Sequence, residues 1–240
     1  MSGSFVSKER VYLSKKCSKL EKIALWNTVD FIIAAELVDI PLLHFLNLRD
    51  VECPKVAKTL SQCTSIHSLT ISFSCDAIKI LSGIPIGRTL IHLCISGYKL
   101  FDKQRVNAAL VLHNALSNLQ YLETLDVAGY DNTTQMNTII EIILQCDTSL
   151  PRLRCIAVEL DCLVNYDILS RIMLQRPNLH MCYILRDMSD SDDRIKKFTS
   201  NFSSRIVQVE EWDLPIWKQC DCGKSNFCCP SPLHLDKKQC

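Results

Sequence analysis

The residues best suited to chemistry gather at the C-terminus. Cys220-x-Cys222, Cys228-Cys229 and Cys240, with His234 close by, supply enough soft ligands for one tetrahedral zinc. Their C-x-C and C-C spacings differ from the C-x-x-C knuckle that wraps zinc comfortably, so the competing reading is a cysteine-rich tail without regular structure. The histidines His44, His67, His92, His113, His180 and His234 are scattered. No serine or cysteine nucleophile is followed by a recognisable base arrangement. His67, His92 and His180 are read as one repeated position, directly after the first apolar residue of a strand. Ligands must converge in space and these sit a repeat apart, so that position is read as tolerating polar side chains, not as a metal row. There is no G-x-x-x-x-G-K or G-x-G-x-x-G motif, and only six glycines in all. The expectation is a protein that is not an enzyme and has no resident cofactor, zinc on the tail aside.

The element that must position these residues is Leu122-Glu-Thr-Leu125-Asp-Val127-Ala-Gly-Tyr130, the strand half of a leucine-rich repeat. In such a frame the first, fourth and sixth positions enter a shared core, and the residues between them line one side of a parallel sheet. The frame recurs as Leu43-x-x-Leu46-x-Leu48, Ile66-x-x-Leu69-x-Ile71, Leu90-x-x-Leu93-x-Ile95, Leu153-x-x-Ile156-x-Val158 and Leu179-x-x-Cys182-x-Ile184, with Val207-x-Val209 as a degraded last copy. The sixth positions advance by 23, 24, 32, 31, 26 and 25 residues, close to the roughly 20–29 of leucine-rich repeats. The two longer steps leave room for a fuller outer helix. One such match is weak; the series is specific.

Composition narrows the function classes. Hydrophobic residues make up 48% of 240, enough for one sizeable core or one solenoid. Lys plus Arg is 27 against 26 for Asp plus Glu, so no net field draws nucleic acid or an anionic membrane. The N-terminal residues lack the charged-then-apolar layout of a signal peptide. The longest apolar stretch, from Phe31, is soon interrupted by Glu36 and Asp39, so no membrane span is expected. Fourteen cysteines without a secretory signal are read as reduced thiols in a cytosolic or nuclear protein.

Residues 1–41 are expected to cap the solenoid. Lys19 to Asp39 carries helical apolar spacing, while Leu20-x-x-Ile23-x-Leu25 also fits the repeat frame, so the segment is either a helical cap or an irregular first repeat. Residues 42–212 form the repeats. Each strand is followed by an amphipathic segment, of which Asp102 to Leu116 places Val106, Leu110, Leu112 and Leu116 near helical spacing. Asp76, Asp102 and Asn165 or Asp167 stand where N-caps belong. Arg194 to Phe202 reads as a short last helix, and residues 213–240 as the tail. The fold class expected is α/β, a leucine-rich-repeat solenoid with a curved parallel sheet and helices on its outer face.

Leu122-Glu-Thr-Leu-Asp-Val is followed by a helix ending at Leu144. Then come Leu150-Pro151-Arg-Leu153, a strand, a helix, and Gln175-Arg176-Pro177-Asn-Leu179. Over about residues 40 to 190 this order resembles the repeat region of the Zyg/Zer family of substrate receptors for cullin-RING ubiquitin ligases. The resemblance implies a scaffold bridging a ligase arm and a substrate, with elongin B/C and a cullin as partners. Leu13-Ser-Lys-Lys-Cys17 begins an elongin-binding box, although Glu21 stands where the family has an apolar residue. The armadillo-like domain that reads the degron in that family has no counterpart up to Cys240, so no degron-binding residue is carried over.

The working surface expected is the concave side of the sheet: Ser68, Thr70, Ser72, His92, Ser96, Thr124, Asp126, Glu159 and Tyr183, with Cys94, Ala157 and Met181 among them. Side chains presented in register there would suit an extended or helical segment of a protein partner.

Overall fold

The computed structural model describes residues 18–25, 31–48, 54–72, 75–96, 110–128, 137, 140–143, 145, 150–160, 164–185 and 193–208. The tail candidates Cys220, Cys222, Cys228, Cys229 and His234, and the box at Leu13 and Cys17, lie outside them.

The described residues contain one eight-stranded sheet: β1 (Lys22–Leu25), β2 (Phe45–Leu48), β3 (Ser68–Ser72), β4 (His92–Ser96), β5 (Thr124–Ala128), β6 (Cys155–Leu160), β7 (His180–Leu185) and β8 (Ile206–Gln208). Every pair is parallel and the spatial order is the sequence order. Parallel neighbours require a crossover, and crossovers share one hand, so an order that never reverses sends each of them to the same side of the sheet. Helices Phe31–Val38, Pro54–Leu60, Cys75–Lys79, Ile84–Thr89, Tyr166–Gln175 and Asp193–Asn201 occupy these connections, as do helical residues at 110–116 and 140–143.

Period-two alternation decides which strand residues join the core. Leu46, Leu69, Leu93, Leu125 and Ile156 share one register row, and Leu48, Ile71, Ile95, Val127 and Val158 the next. All are essentially inaccessible to solvent. They pack with Leu37, Val56, Leu60, Ile78, Ile86 and Leu169 from the helices in a single hydrophobic cluster. Burying a side chain of this size is worth about 1.5–3 kcal/mol each, and each strand's share of the core is completed by the strands beside it.

Four of the leucines that open a frame are fixed by a tight turn, whereas Leu90 caps the helix Ile84–Thr89, its amide donating to the Ile86 carbonyl. Ile40–Leu43, Leu119–Leu122, Leu150–Leu153 and Arg176–Leu179 are each closed by a backbone hydrogen bond from the fourth residue to the first, at 3.4, 3.1, 3.2 and 3.0 Å. Pro151 and Pro177 take the second place of two such turns, where a fixed φ helps and no donor is needed.

Lys19 to Asp39, expected as a helical cap or an irregular first repeat, supplies the strand β1, paired with β2 so that Ile23 stands beside Leu46 and Leu25 beside Leu48, and then the helix Phe31–Val38. Three expectations change. Leu110 is 63% exposed while Leu112 and Leu116 are buried, so the inward face of that helix excludes Leu110. Asp76 lies inside the helix Cys75–Lys79 and not before it. Most consequentially, the last full frame slips by one. Met181 and Tyr183, not Cys182 and Ile184, continue the two core rows, beside Ile156 and Val158. At the start of the earlier strands two successive amides donate to one carbonyl, as Ile91 and His92 do to His67 and Glu123 and Thr124 do to Ile91. At the Leu179 turn only His180 donates to Arg154. The turn-to-strand link is one residue shorter, and a one-residue slip exchanges the faces.

Candidate functional site

The sheet's second face bears two rows of side chains. Phe45, Ser68, His92, Thr124, Cys155 and His180 form one; Asn47, Thr70, Cys94, Asp126, Ala157, Cys182 and Val207 form the other. The expected residues Ser68, Thr70, His92, Thr124 and Asp126 are therefore brought together. Ser72 pairs with Ser96 in a third register row, and Glu159 pairs with Ile184; of these residues the backbone alone is described. Tyr183 does not belong here. It stands in the core row, 6% exposed, with its hydroxyl donating to the side chain of Gln208 at 3.2 Å.

Accessibility divides the face. Ser68, His92, Thr124 and Asp126 are buried, as are Cys155, Ala157 and Cys182, whereas Phe45, Asn47, Thr70, Cys94, His180 and Val207 are half-buried. A partner approaching this side would touch its two ends, β2 to β4 and β7 to β8, more readily than β5 and β6. Phe45 and Asn47 are legible in the sequence as the outward positions of the Leu43-x-x-Leu46-x-Leu48 frame and join the expected face.

Electrostatics along the first row favour neutral imidazole. Burial, reinforced by the charge of His67, pushes the His92 pKa down to about 4. Burial and the neighbouring His44 lower His67 as well, opposed in part by its hydrogen bond with the Ser65 carbonyl. Both rings are therefore neutral near pH 7. Among the described residues Cys63, Cys94, Cys155 and Cys182 are outside any disulfide.

Of the three histidines grouped in the sequence, His92 and His180 share the first row and His67 lies outside it. His92 aligns with Ser68 and His180 with Cys155, while His67 precedes β3 as His44 precedes β2. The pair that meets is His44 and His67, with Nδ1 atoms 3.2 Å apart.

A cavity of about 440 Å³ lies between the helices Tyr166–Gln175 and Asp193–Asn201, lined by Asn165, Asp167, Arg194 and Lys197 among others. Asn165 caps the first of these helices, accepting from the Ile168 amide at 3.2 Å. Among the described residues no group of three or more histidine, cysteine or acidic side chains is placed to hold a metal ion. No helix in them is long and apolar enough to cross a membrane.

The class this arrangement defines is an α/β protein built on a single all-parallel sheet with sequential strand order. Scanned against family models the chain finds no match, and no curated protein matches it.

Proposed function

We propose that the chain is a leucine-rich-repeat solenoid that works as a protein-interaction scaffold, similar to the repeat part of a Zyg/Zer substrate receptor in a cullin-RING ubiquitin ligase. The observation that carries the scaffold reading is the strictly sequential, all-parallel sheet, one strand per repeat, with its two core rows continuous from β2 to β7. Such a stack is stiff along its length and offers its second face in register to another chain. The half-buried strip Phe45, Asn47, Thr70 and Cys94 mixes an aromatic with small polar side chains, the composition of a contact surface more than of a catalytic one. The mechanism is positional: the scaffold holds a substrate or neighbouring domain at a fixed distance from the ligase, and ubiquitin transfer happens elsewhere. Fourteen cysteines read as reduced thiols fit a reducing compartment, the cytosol or nucleus.

Affinity purification of the full chain from cells tests both parts. Recovery of elongin B/C and a cullin, lost on substitution of Leu13 and Cys17, supports ligase attachment. Clean failure to recover them removes it and leaves a general scaffold. Partners that survive Leu13 substitution but are lost with Thr70→Arg mark the second face as the contact surface. Partners indifferent to Thr70→Arg and Cys94→Arg alike would move the contact off that face.

A further inference from the structure

The strand rim before β2 and β3 carries a group of donors that the scaffold reading does not use. His44 and His67 occupy equivalent places in successive coils, because the amides of His67 and Ser68 both donate to the His44 carbonyl at 2.9 Å. Their rings meet edge to face with centroids 4.9 Å apart, and their Nδ1 atoms are 3.2 Å apart. The Ser65 carbonyl oxygen lies 3.1 Å from the His44 Nδ1 and also hydrogen-bonds His67. One nitrogen and one oxygen thus surround a second nitrogen at separations that ligands of a single ion adopt. With zinc–nitrogen bonds of 2.0–2.1 Å, two ligands of a tetrahedral ion stand about 3.3 Å apart.

We infer that His44 and His67, with the Ser65 carbonyl as a third donor, form a solvent-facing site for a divalent transition ion of the zinc type. Three further features favour it. The turn bearing the carbonyl is held in place, since the Ser65 hydroxyl donates to the Leu43 carbonyl at 2.9 Å, so one ligand is preorganised. His44 is exposed and His67 half-buried, and imidazole χ2 rotates over a broad range, so both lone pairs can turn toward one ion while solvent fills the remaining position. Glu21 occupies the preceding coil's equivalent place, its carbonyl accepting from His44 and Phe45, so the rim beside the pair carries an acidic residue. Without an ion the two nitrogens can share only one proton in their contact. A bound ion replaces that proton and ties β2 to β3. Imidazole suits zinc, nickel and copper, whereas thiolates compete mainly for the softer ions.

The full chain, reduced and freed of metal, is titrated with Co²⁺ while the visible ligand-field bands and the near-ultraviolet thiolate charge-transfer band are followed. The wild type is expected to bind one equivalent more than His44→Ala or His67→Ala, with the thiolate band unchanged among the three. His180→Ala, whose ring belongs to another coil, is expected to match the wild type. His67→Gln keeps a hydrogen-bonding amide in the pair and should still lose the equivalent, which a purely structural role for the ring would not require. Ni²⁺ should raise the melting temperature of the wild type and leave the His44 and His67 variants unmoved, with all proteins giving equal far-ultraviolet circular dichroism in chelator. Equal stoichiometry in wild type and His44→Ala, or cobalt held on thiolates alone, overturns the assignment.

Discussion

The ring of His92 should make the fold sensitive to mild acid. It lies in β4 between Ser68 and Thr124 and is 5% exposed. Burial first and the charge of His67 second bring its pKa from 6.5 to about 4. A histidine whose folded pKa is depressed stays neutral in the native protein while the unfolded chain takes up a proton. Stability is therefore fully present above about pH 6.5 and drains away as the pH falls toward about 4. A displacement of that size corresponds to roughly 3 kcal/mol over the window, a large part of the 5–15 kcal/mol typical of a domain. Carboxylates also titrate there, so the informative quantity is a difference. His92→Thr puts into the row the side chain already present at position 124 and removes the titration. Urea unfolding of both proteins at about pH 7.5, 6, 5 and 4.5 should show the wild type losing stability faster, its difference from the variant shifting by about 2.5 kcal/mol between the extremes. Curves that stay parallel to within about 0.5 kcal/mol would refute the argument that the second face desolvates this ring.

Three further outcomes rest on separate parts of the molecule. The Arg205 guanidinium donates to the carbonyls of Met173, Arg176 and Pro177 at 2.9, 2.9 and 3.0 Å, closing the C-terminal end of the helix Tyr166–Gln175. Arg205→Ala should cost about 2–3 kcal/mol in chemical unfolding, and Arg205→Lys should recover only part, because a point charge cannot reach three acceptors. Burial pushes the Cys63 thiol up to about 12, so in the native protein it should resist a thiol reagent near neutral pH long after the half-buried Cys94 has reacted, as mass-mapped alkylation would show. Gly83 has extended backbone at φ −74°, but a Cβ there would stand 2.6 Å from the Ser61 Cβ and 2.8 Å from the Ser61 carbonyl carbon. Gly83→Ala should lower stability by about 3 kcal/mol through overpacking, read as a drop in melting temperature.

How far the sequence reveals this molecule depends on which signal a residue carries. Apolar side chains at period two fix the core rows Leu48 to Val158 without ambiguity, since any other register would expose them. The second face is harder to read, because polar identity does not guarantee exposure there. Ser68, His92, Thr124 and Asp126 are polar and yet buried, while the half-buried Phe45 looks like core by type. The His44–His67 contact was legible, since the two stand 23 residues apart, the step between the frames ending at Leu48 and Ile71. Grouping His67 with His92 and His180 instead compared positions that differ by one residue.

The β7 strand shows where periodicity alone fails, and it can be tested directly. His180-Met-Cys-Tyr-Ile-Leu185 is apolar at nearly every place, so both alternations are open to it. What decides is the link to Leu179, whose amide closes the turn onto Arg176 and leaves one residue fewer before the ladder begins. That register puts Met181 beside Ile156 and Ile206 in the core, fully buried, and Cys182 beside Ala157 on the second face. Met181→Ala should then open a cavity costing about 2–5 kcal/mol. Cys182→Ala deletes one small atom beside an alanine and should cost no more than about 1.5 kcal/mol. The Leu179-x-x-Cys182-x-Ile184 frame requires the reverse order, because there Cys182 points inward and Met181 outward. Denaturant midpoints of the two variants therefore discriminate between the registers. A Cys182→Ala variant less stable than Met181→Ala would mean that the repeat frame continues unbroken through β7.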